Sequence, residues 1–164
     1  MSQNENPALN DVVAPFLLKV VKLHEDAQLP QRKSPMAAGY DLYAYDDAVV
    51  IPARDKKMIG TGIAIELPPE TCGMISSRSG LMAGKDSISA FNGLIDPDYQ
   101  GELKVILINS GSTPYYVKKG DRIAQLLILF HADPEVMQIP CFAQKTERGT
   151  SGFGSTGLFD VTKK

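Results

Sequence analysis

Residues 57–67 read KMIGTGIAIEL, and large apolar side chains recur there at nearly every second position. In an extended chain one face would carry Ile59, Thr61, Ile63, Ile65 and Leu67, and the other Gly60, Gly62, Ala64 and Glu66. A period of two is typical of a β-strand that turns one face towards a core. The stretch therefore predicts a single strand over residues 57–67.

Three further apolar runs predict strands, at residues 16–23, 103–109 and 123–130. The last run, IAQLLILF, is so apolar that both faces need cover, which predicts a central strand or an interface strand. Turn signals lie at Pro68-Pro69, Asn92-Gly93, Ser110-Gly111 and Lys119-Gly120. One short helix is predicted around residues 81–84. The pattern is typical of an all-β sandwich or barrel.

The length of 164 residues corresponds to one domain with two tails. Residues 1–15 are polar, contain Pro7 and show no period that would bury a face, so we expect a disordered N-terminal tail. Residues 16–144 carry the predicted strands. Residues 145–164 are rich in glycine and serine, and we expect them to form a mobile C-terminal arm.

Composition excludes several classes of protein. Lys and Arg number 17 against 19 Asp and Glu, a net charge of −2, so general nucleic-acid binding is not expected. No apolar run approaches the roughly 20 residues of a membrane span. Cys72 and Cys141 are far apart, which favours a reduced intracellular environment. Without a secretory or mitochondrial signal, we expect a cytoplasmic location, a nuclear one, or both.

The arm contains the first candidate site, residues 148–157, RGTSGFGSTG. It pairs the charge of Arg148 with glycines whose amides can approach an anion closely, a composition suited to cradling phosphates. It lacks the ending of a P-loop. A plain Gly/Ser linker is the alternative interpretation, but the Phe153 ring must then find cover, and a flat nucleobase would provide it.

The second candidate is residues 92–101, NGLIDPDYQG. Asn92-Gly93 predicts a tight hairpin turn, followed by a strand at Leu94-Ile95. Strand alternation would put Asp96 and Asp98 on one face, where one could act as a base and the other could cap the turn. The alternative is that both carboxylates only bond to nearby backbone.

The third candidate is residues 76–81, SSRSGL, where Arg78 and hydroxyl groups precede the predicted helix and could contact an oxyanion. An ordinary helix N-cap is the alternative. In residues 120–126, GDRIAQL, the Asp121-Arg122 pair is interpreted as structural rather than catalytic.

Taken in order, residues 37–44 (AAGYDLYA), 77–81, 93–101, 120–126 and 148–157 resemble the five motifs of the trimeric dUTPase family. The resemblance extends over residues 16–158. It implies a distorted jelly-roll β-barrel assembled as a homotrimer, with active sites at subunit boundaries. The C-terminal arm would close a site built by other subunits.

The resemblance also implies a reaction, in which dUTP and water give dUMP and pyrophosphate with Mg²⁺ bound to the triphosphate. Such an enzyme keeps uracil out of DNA and supplies dUMP for thymidylate synthesis. Asp96 would orient and deprotonate the water that attacks the α-phosphorus. Tyr99 would lie under the deoxyribose and reject a 2′-hydroxyl. The backbone of Asn92, Gly93, Leu94 and Ile95 would pair with the uracil edge.

The remaining implied contacts concern the triphosphate and the base. The α- and β-phosphates would be held by Arg78, Ser79, Gly80 and Gln125. Arg148 would reach the γ-phosphate, Phe153 would stack on uracil, and Gly154 with Ser155 would close over the chain of phosphates. Asp41 would act through water on the metal or support the site.

The chain departs from the family pattern at four positions, since Ser77 replaces a common proline, Phe91-Asn92 a small Gly-Ala pair and Ser151 a glycine. Two alternative functions share the fold. A protein kept for binding or signalling would not need Asp96 or the arm, yet both are retained. A dCTP deaminase would need an additional Glu-centred site, for which the sequence shows no signal.

Overall fold

The computed structural model describes residues 16–84 and 86–150, and in this part of the chain it is built almost wholly of β-strands. The elements are β1 (Lys19–Lys22), β2 (Tyr40–Tyr43), β3 (Val49–Ile51), β4 (Lys56–Gly60), β5 (Ile63–Glu66), β6 (Thr71–Ser76), α1 (Ser79–Met82), β7 (Ile88–Ala90), β8 (Gly93–Ile95), β9 (Lys104–Asn109), β10 (Tyr115–Val117) and β11 (Arg122–Phe130). The predicted all-β class is confirmed. The predicted short helix is also present, although it begins two residues earlier than expected.

The strands form four antiparallel sheets. The largest has the order β2-β11-β6-β8, the second β4-β9-β7, and two pairs, β1-β5 and β10-β3, complete the set. Strand β11 lies between β2 and β6, so the prediction of a central strand from residues 123–130 is confirmed. Strand β8 pairs on one side with β6, which leaves its other edge open within the described residues.

One apolar cluster draws side chains from all four sheets. Leu42 of β2, Ile51 of β3, Ile59 of β4, Ile63 of β5 and Leu126 of β11 are at most 1% exposed and belong to it. These side chains occupy the inward positions of their strands. Burial of a side chain of this size contributes about 1.5–3 kcal/mol, so the shared cluster holds the sheets together.

The single strand predicted over residues 57–67 is wrong in its continuity. The predicted inward face is buried, but Gly60, Gly62 and Ala64 of the other face are buried as well, and the chain breaks into β4 and β5 at Thr61-Gly62. Gly62 has φ of +68°, which glycine adopts without strain. Glu102 accepts a hydrogen bond from the Gly62 amide at 3.0 Å, and the Thr61 hydroxyl donates to the Leu103 carbonyl at 2.6 Å.

The tight hairpin predicted at Asn92-Gly93 is also wrong. Strands β7 and β8, on either side of it, belong to different sheets. The Phe91 amide donates to the Ile106 carbonyl at 2.8 Å, and Gly93 continues directly into the pairing with β6. By contrast the turn at Lys119-Gly120 is confirmed, with a φ of +87° at Gly120.

Contacts along the chain define two units, Met1–Ala132 and Asp133–Lys164. In the second unit, residues 133–150 contain turns and bends without helix or strand. Gly149 closes a turn there, because its amide donates to the Thr146 carbonyl at 3.1 Å. The domain boundaries expected from the sequence, including the start of the arm at residue 145, stay predictions. The helix in the described residues is far too short to cross a membrane.

Candidate active site

Asp96 stands at the first position after β8, where the strand gives way to a turn. The Tyr99 amide donates to the Asp96 carbonyl at 3.1 Å and closes this turn around Pro97 and Asp98. The predicted alternation of Asp96 and Asp98 on one strand face is therefore wrong, because the strand ends at Ile95. Both carboxylates are presented by the turn, and Asp96 alone of the two lines the neighbouring cleft.

That cleft has a volume of about 250 Å³ and brings together four of the residues singled out from the sequence. It is lined by Met58, Leu94, Ile95, Asp96, Tyr99, Glu102 and Lys104. The sequence did not indicate Met58, Glu102 or Lys104. Met58 comes from β4 and Lys104 from β9, and the antiparallel pairing of these strands aligns Gly60 with Lys104. This register joins distant parts of the chain, so no local sequence pattern indicates it.

The Tyr99 ring is fixed at the mouth of this cleft. Its hydroxyl donates to the Glu102 carbonyl at 3.0 Å, and its side lies against Gly101. A Cβ at residue 101 would stand 2.5 Å from the Tyr99 hydroxyl oxygen, so any larger residue there would displace the ring. The ring remains 45% exposed and offers a flat apolar surface to a ligand in the cleft.

A second polar cluster lies on the sheet formed by β2, β11 and β6. The carboxylate of Asp41, only 13% exposed, receives the Arg78 Nε at 3.1 Å through Oδ1 and the Arg122 Nη1 at 3.0 Å through Oδ2. Arg78 also donates through Nη1 to the Arg122 carbonyl at 2.7 Å. One acidic group thus joins two cations, and the cluster keeps a net positive charge.

Gln125 is held beside this cluster. Its Nε2 donates to the Ser77 carbonyl at 2.9 Å, and β11 pairs it with Asp41 of β2. A Cβ at Gly39 would approach the Gln125 Oε1 to 2.8 Å, so a side chain at residue 39 would displace the Gln125 amide. A cleft of about 380 Å³ opens here and is lined by Lys33, Ala37, Ala38, Gly39, Asp41, Arg122, Gln125 and Leu127.

The loop that carries Arg78 and Ser79 is anchored by Ser77. The Ser77 hydroxyl accepts from the Ala90 amide and donates to the Ala90 carbonyl, both at 2.9 Å. Arg78 occupies the N-cap position of α1 without a side-chain capping bond, so the alternative of an ordinary N-cap is wrong. A helix of one turn also lacks the aligned peptides that give a helix N-terminus its attraction for anions.

Near this loop, Tyr115 is the titratable group with a shifted pKa. Burial raises the pKa of Tyr115 above its ordinary value of 10.0, the charges of Asp121 and Asp86 act in the same direction, and Arg78 opposes them. The hydroxyl is therefore neutral at physiological pH and can serve as a hydrogen-bond donor.

Asp96 and Arg78 of one chain lie far apart. Ile95 pairs with Gly73 near the start of β6, whereas Arg78 lies two residues beyond the end of that strand at Ser76, so the two residues stand beyond opposite ends of the β6-β8 pairing. The Arg78 side chain also points away from β8, because it reaches Asp41 on β2 across the sheet. Asp96 lines the cleft beside Tyr99, whereas Arg78 binds Asp41, which lines the other cleft.

Arg148 lies in the second unit, directly before the Gly149 turn. Phe153, Gly154 and Ser155, which the sequence assigns to base stacking and phosphate closure, lie outside the described residues, as does Ser151. Their assignments stay predictions.

The family model for dUTPase matches residues 25–157. A deoxyuridine 5′-triphosphate nucleotidohydrolase of Oryza sativa subsp. japonica is 49% identical, over 89% of this chain and 83% of the relative. The protein of the same description from Paramecium bursaria Chlorella virus 1 is 48% identical, over 86% of this chain and 98% of the relative.

Solved dUTPase structures are similar to this chain in fold. Staphylococcus bacteriophage 80alpha dUTPase with dUPNHPP has a TM-score of 0.81 and 30% identity, covering 88% of this chain and 100% of the other. A dUTPase from phage phi11 of S. aureus, with a structural Mg(II) ion, has a TM-score of 0.71 and 28% identity, covering 77% and 98%.

Fold, clefts and relatives together define an all-β enzyme of the nucleotide hydrolase class. The chain belongs to the dUTPase family, so the resemblance carried by its five motifs is confirmed.

Proposed function

We propose that this chain hydrolyses dUTP to dUMP and pyrophosphate, with Asp96 as the base that orients and deprotonates the attacking water. The observation that carries the proposal is the position of Asp96, at the end of an edge strand and in the same cleft as Tyr99. Catalysis by such a base relies on its placement beside the attacking water. The physiological consequence would be removal of uracil from the DNA precursor pool and supply of dUMP.

The base and sugar would bind along β8. Its outer edge has no strand partner among the described residues, so backbone donors and acceptors between Asn92 and Ile95 are available to the edge of uracil. A hairpin is not needed for this contact, since one open strand edge offers the same groups. The exposed face of Tyr99 would lie under the deoxyribose and leave no room for a 2′-hydroxyl.

The triphosphate would bind the second cluster through Arg78, Ser79, Gly80 and Gln125. Asp96 must reach a water beside the same α-phosphate that these groups hold. Asp96 and Arg78 lie towards opposite ends of β6, and Arg78 reaches towards β2, away from β8. This supports sites built between subunits, each taking Asp96 from one subunit and Arg78 from another, and the family resemblance makes the proposed assembly a homotrimer of jelly-roll barrels.

The arm would complete the site. Arg148 would contact the γ-phosphate, Phe153 would stack on the base, and Gly154 with Ser155 would close over the phosphates. Closure excludes water other than the nucleophile, which strengthens every charged contact inside.

Mg²⁺ is proposed as the cofactor, carried by the nucleotide. Within the described residues no group of three or more His, Cys, Asp or Glu side chains could hold a metal ion. Mg²⁺ retains several waters and takes phosphate oxygens as ligands, so the nucleotide itself would supply its main ligands. Once bound, the ion would offset negative charge on the phosphates. Asp41, near the predicted phosphate site, would contact it through water at most.

The proposal is tested by pyrophosphate release from each of the four common dNTPs, dUTP and UTP, with and without Mg²⁺, together with sizing of the native protein. We expect turnover of dUTP alone and a species of three chains. Absence of dUTP turnover in the presence of Mg²⁺ would overturn it.

A further inference from the structure

The ion cluster around Asp41 fixes the orientation of the Arg78 side chain. Asp41 binds Arg78 through one carboxylate oxygen and Arg122 through the other. The side chains of Arg78 and Asp41 are only 20% and 13% exposed, whereas that of Arg122 is 42% exposed. The Arg78 guanidinium, which is predicted to bind phosphate, is therefore partly enclosed. Asp41 holds it in place, and Arg122 in turn holds Asp41.

The hydrogen-bond capacity of Arg78 shows which part of it stays available. A guanidinium carries five N–H groups in a fixed plane. In Arg78, Nε faces Asp41 and one Nη1 hydrogen faces the Arg122 carbonyl. Three N–H groups remain, two of them on Nη2, and those that do not face Asp41 can donate to a phosphate.

A β-bulge places Arg122 to make both contacts. The register of β11 with β2 shifts between Arg122 and Ala124, so that Arg122 faces Tyr43 and Ala124 faces Leu42. A bulge takes backbone groups out of the regular ladder and redirects the neighbouring side chain. Here the Arg122 carbonyl is turned to Arg78 and its side chain to Asp41.

We propose that Arg122 is a positioning residue for phosphate recognition, acting through Asp41 to hold the remaining N–H groups of Arg78 towards the substrate. The inference rests on the proposed function, since it concerns the triphosphate end of that site. It revises the interpretation of Asp121-Arg122 as merely structural. It also gives Asp41 a role that needs no metal, because each carboxylate oxygen already orients one arginine.

The test is a double-mutant cycle with Arg78→Gln, Arg122→Gln and both together in the full-length protein. Calorimetry measures the binding of a non-hydrolysable imido analogue of dUTP and of deoxyuridine, which lacks phosphates. Loss of charge-assisted hydrogen bonds should weaken binding of the analogue about 10- to 100-fold in each single variant. The double variant should lie within about threefold of Arg78→Gln, because residues that act as one unit are not additive.

Binding of deoxyuridine should change less than about twofold in every variant, because a positioning role affects the phosphates alone. Arg122→Lys should recover most of the affinity for the analogue, since Oδ2 of Asp41 receives a single N–H. Lys19→Gln, which removes the exposed ion pair with Glu66, is the matched control and should behave as wild type.

Three results would overturn the inference. The first is additive losses of affinity for the analogue in the double variant, which would mean that Arg122 contacts phosphate directly. The others are unchanged affinity in Arg122→Gln, and equal losses of affinity for the analogue and for deoxyuridine. If Arg122→Gln does not fold, Asp41→Asn replaces it in the cycle with the same expectation. Turnover of dUTP by the wild-type protein is measured first, so failure of the proposed function is recognised separately.

Discussion

Subunit complementation provides the sharpest test of the separation between Asp96 and Arg78. The variants Asp96→Asn and Arg78→Gln each lose one group of the site, and at dUTP concentrations far below KM each alone should keep at most about a tenth of the wild-type rate. In a trimer assembled from an equal mixture, a site is intact when one subunit supplies Asp96 and its neighbour supplies Arg78. Each condition is met in half of the cases, so activity should recover to about a quarter of the wild-type value.

The assay is pyrophosphate release after the two variants are denatured, mixed and refolded together. The same variants refolded separately and combined just before the measurement serve as a control and should stay inactive. Asp98→Asn, altered in the same turn, should be nearly normal without any partner. If the mixed trimers remain as inactive as the separate variants, one chain supplies both groups, and the geometric argument from β6 and β8 is refuted.

Four further outcomes are expected. Asp96→Asn should lower kcat by about 10²- to 10⁴-fold with little change in nucleotide binding, as for loss of a general base; a near-normal kcat would contradict its role. Deletion of residues 148–164 should leave the assembly intact by size-exclusion chromatography and remove most turnover, whereas full activity would exclude the arm from the site. Gly101→Ala should displace the Tyr99 ring, raise KM for dUTP and weaken discrimination against UTP; unchanged kinetics would remove that ring from the site. Because the pKa of Tyr115 in the folded protein lies above 10.0, the free energy of unfolding should fall as pH rises from 10 through that higher pKa. In denaturant titrations, Tyr115→Phe should reduce this fall. The same dependence on alkaline pH in the variant would exclude Tyr115 as its source.

Local patterns in the sequence predicted the most apolar strands, but they missed β2, β3, β6, β7 and β10 and could not predict where a strand breaks. The alternation over residues 57–67 continues through Thr61 and Gly62 without interruption, since the groups that bend the backbone there are Glu102 and Leu103. These partners lie about forty residues away in sequence. The same limit explains why Asn92-Gly93 resembled a hairpin, because its local composition does not reveal that β7 pairs with β9.

The site residues also divide into those that a local motif predicts and those that only the complete fold brings together. Leu94, Ile95, Asp96 and Tyr99 are close in sequence, so a single motif located them. Met58 reaches the same cleft from another sheet, and the ion pair of Arg122 with Asp41 joins residues 81 positions apart. Such contacts depend on strand register, which is fixed by the complete fold rather than by neighbouring residues.

The hydroxyl of Ser77 has a consequence for solubility. Strand β7 is the outermost strand of its sheet, and exposed strand margins invite pairing with other molecules and growth of fibrils. By satisfying both backbone groups of Ala90, Ser77 leaves an incoming peptide nothing to bind at that position. A proline there could not make these bonds, so in the folded protein the serine closes this position of β7 to pairing with another strand.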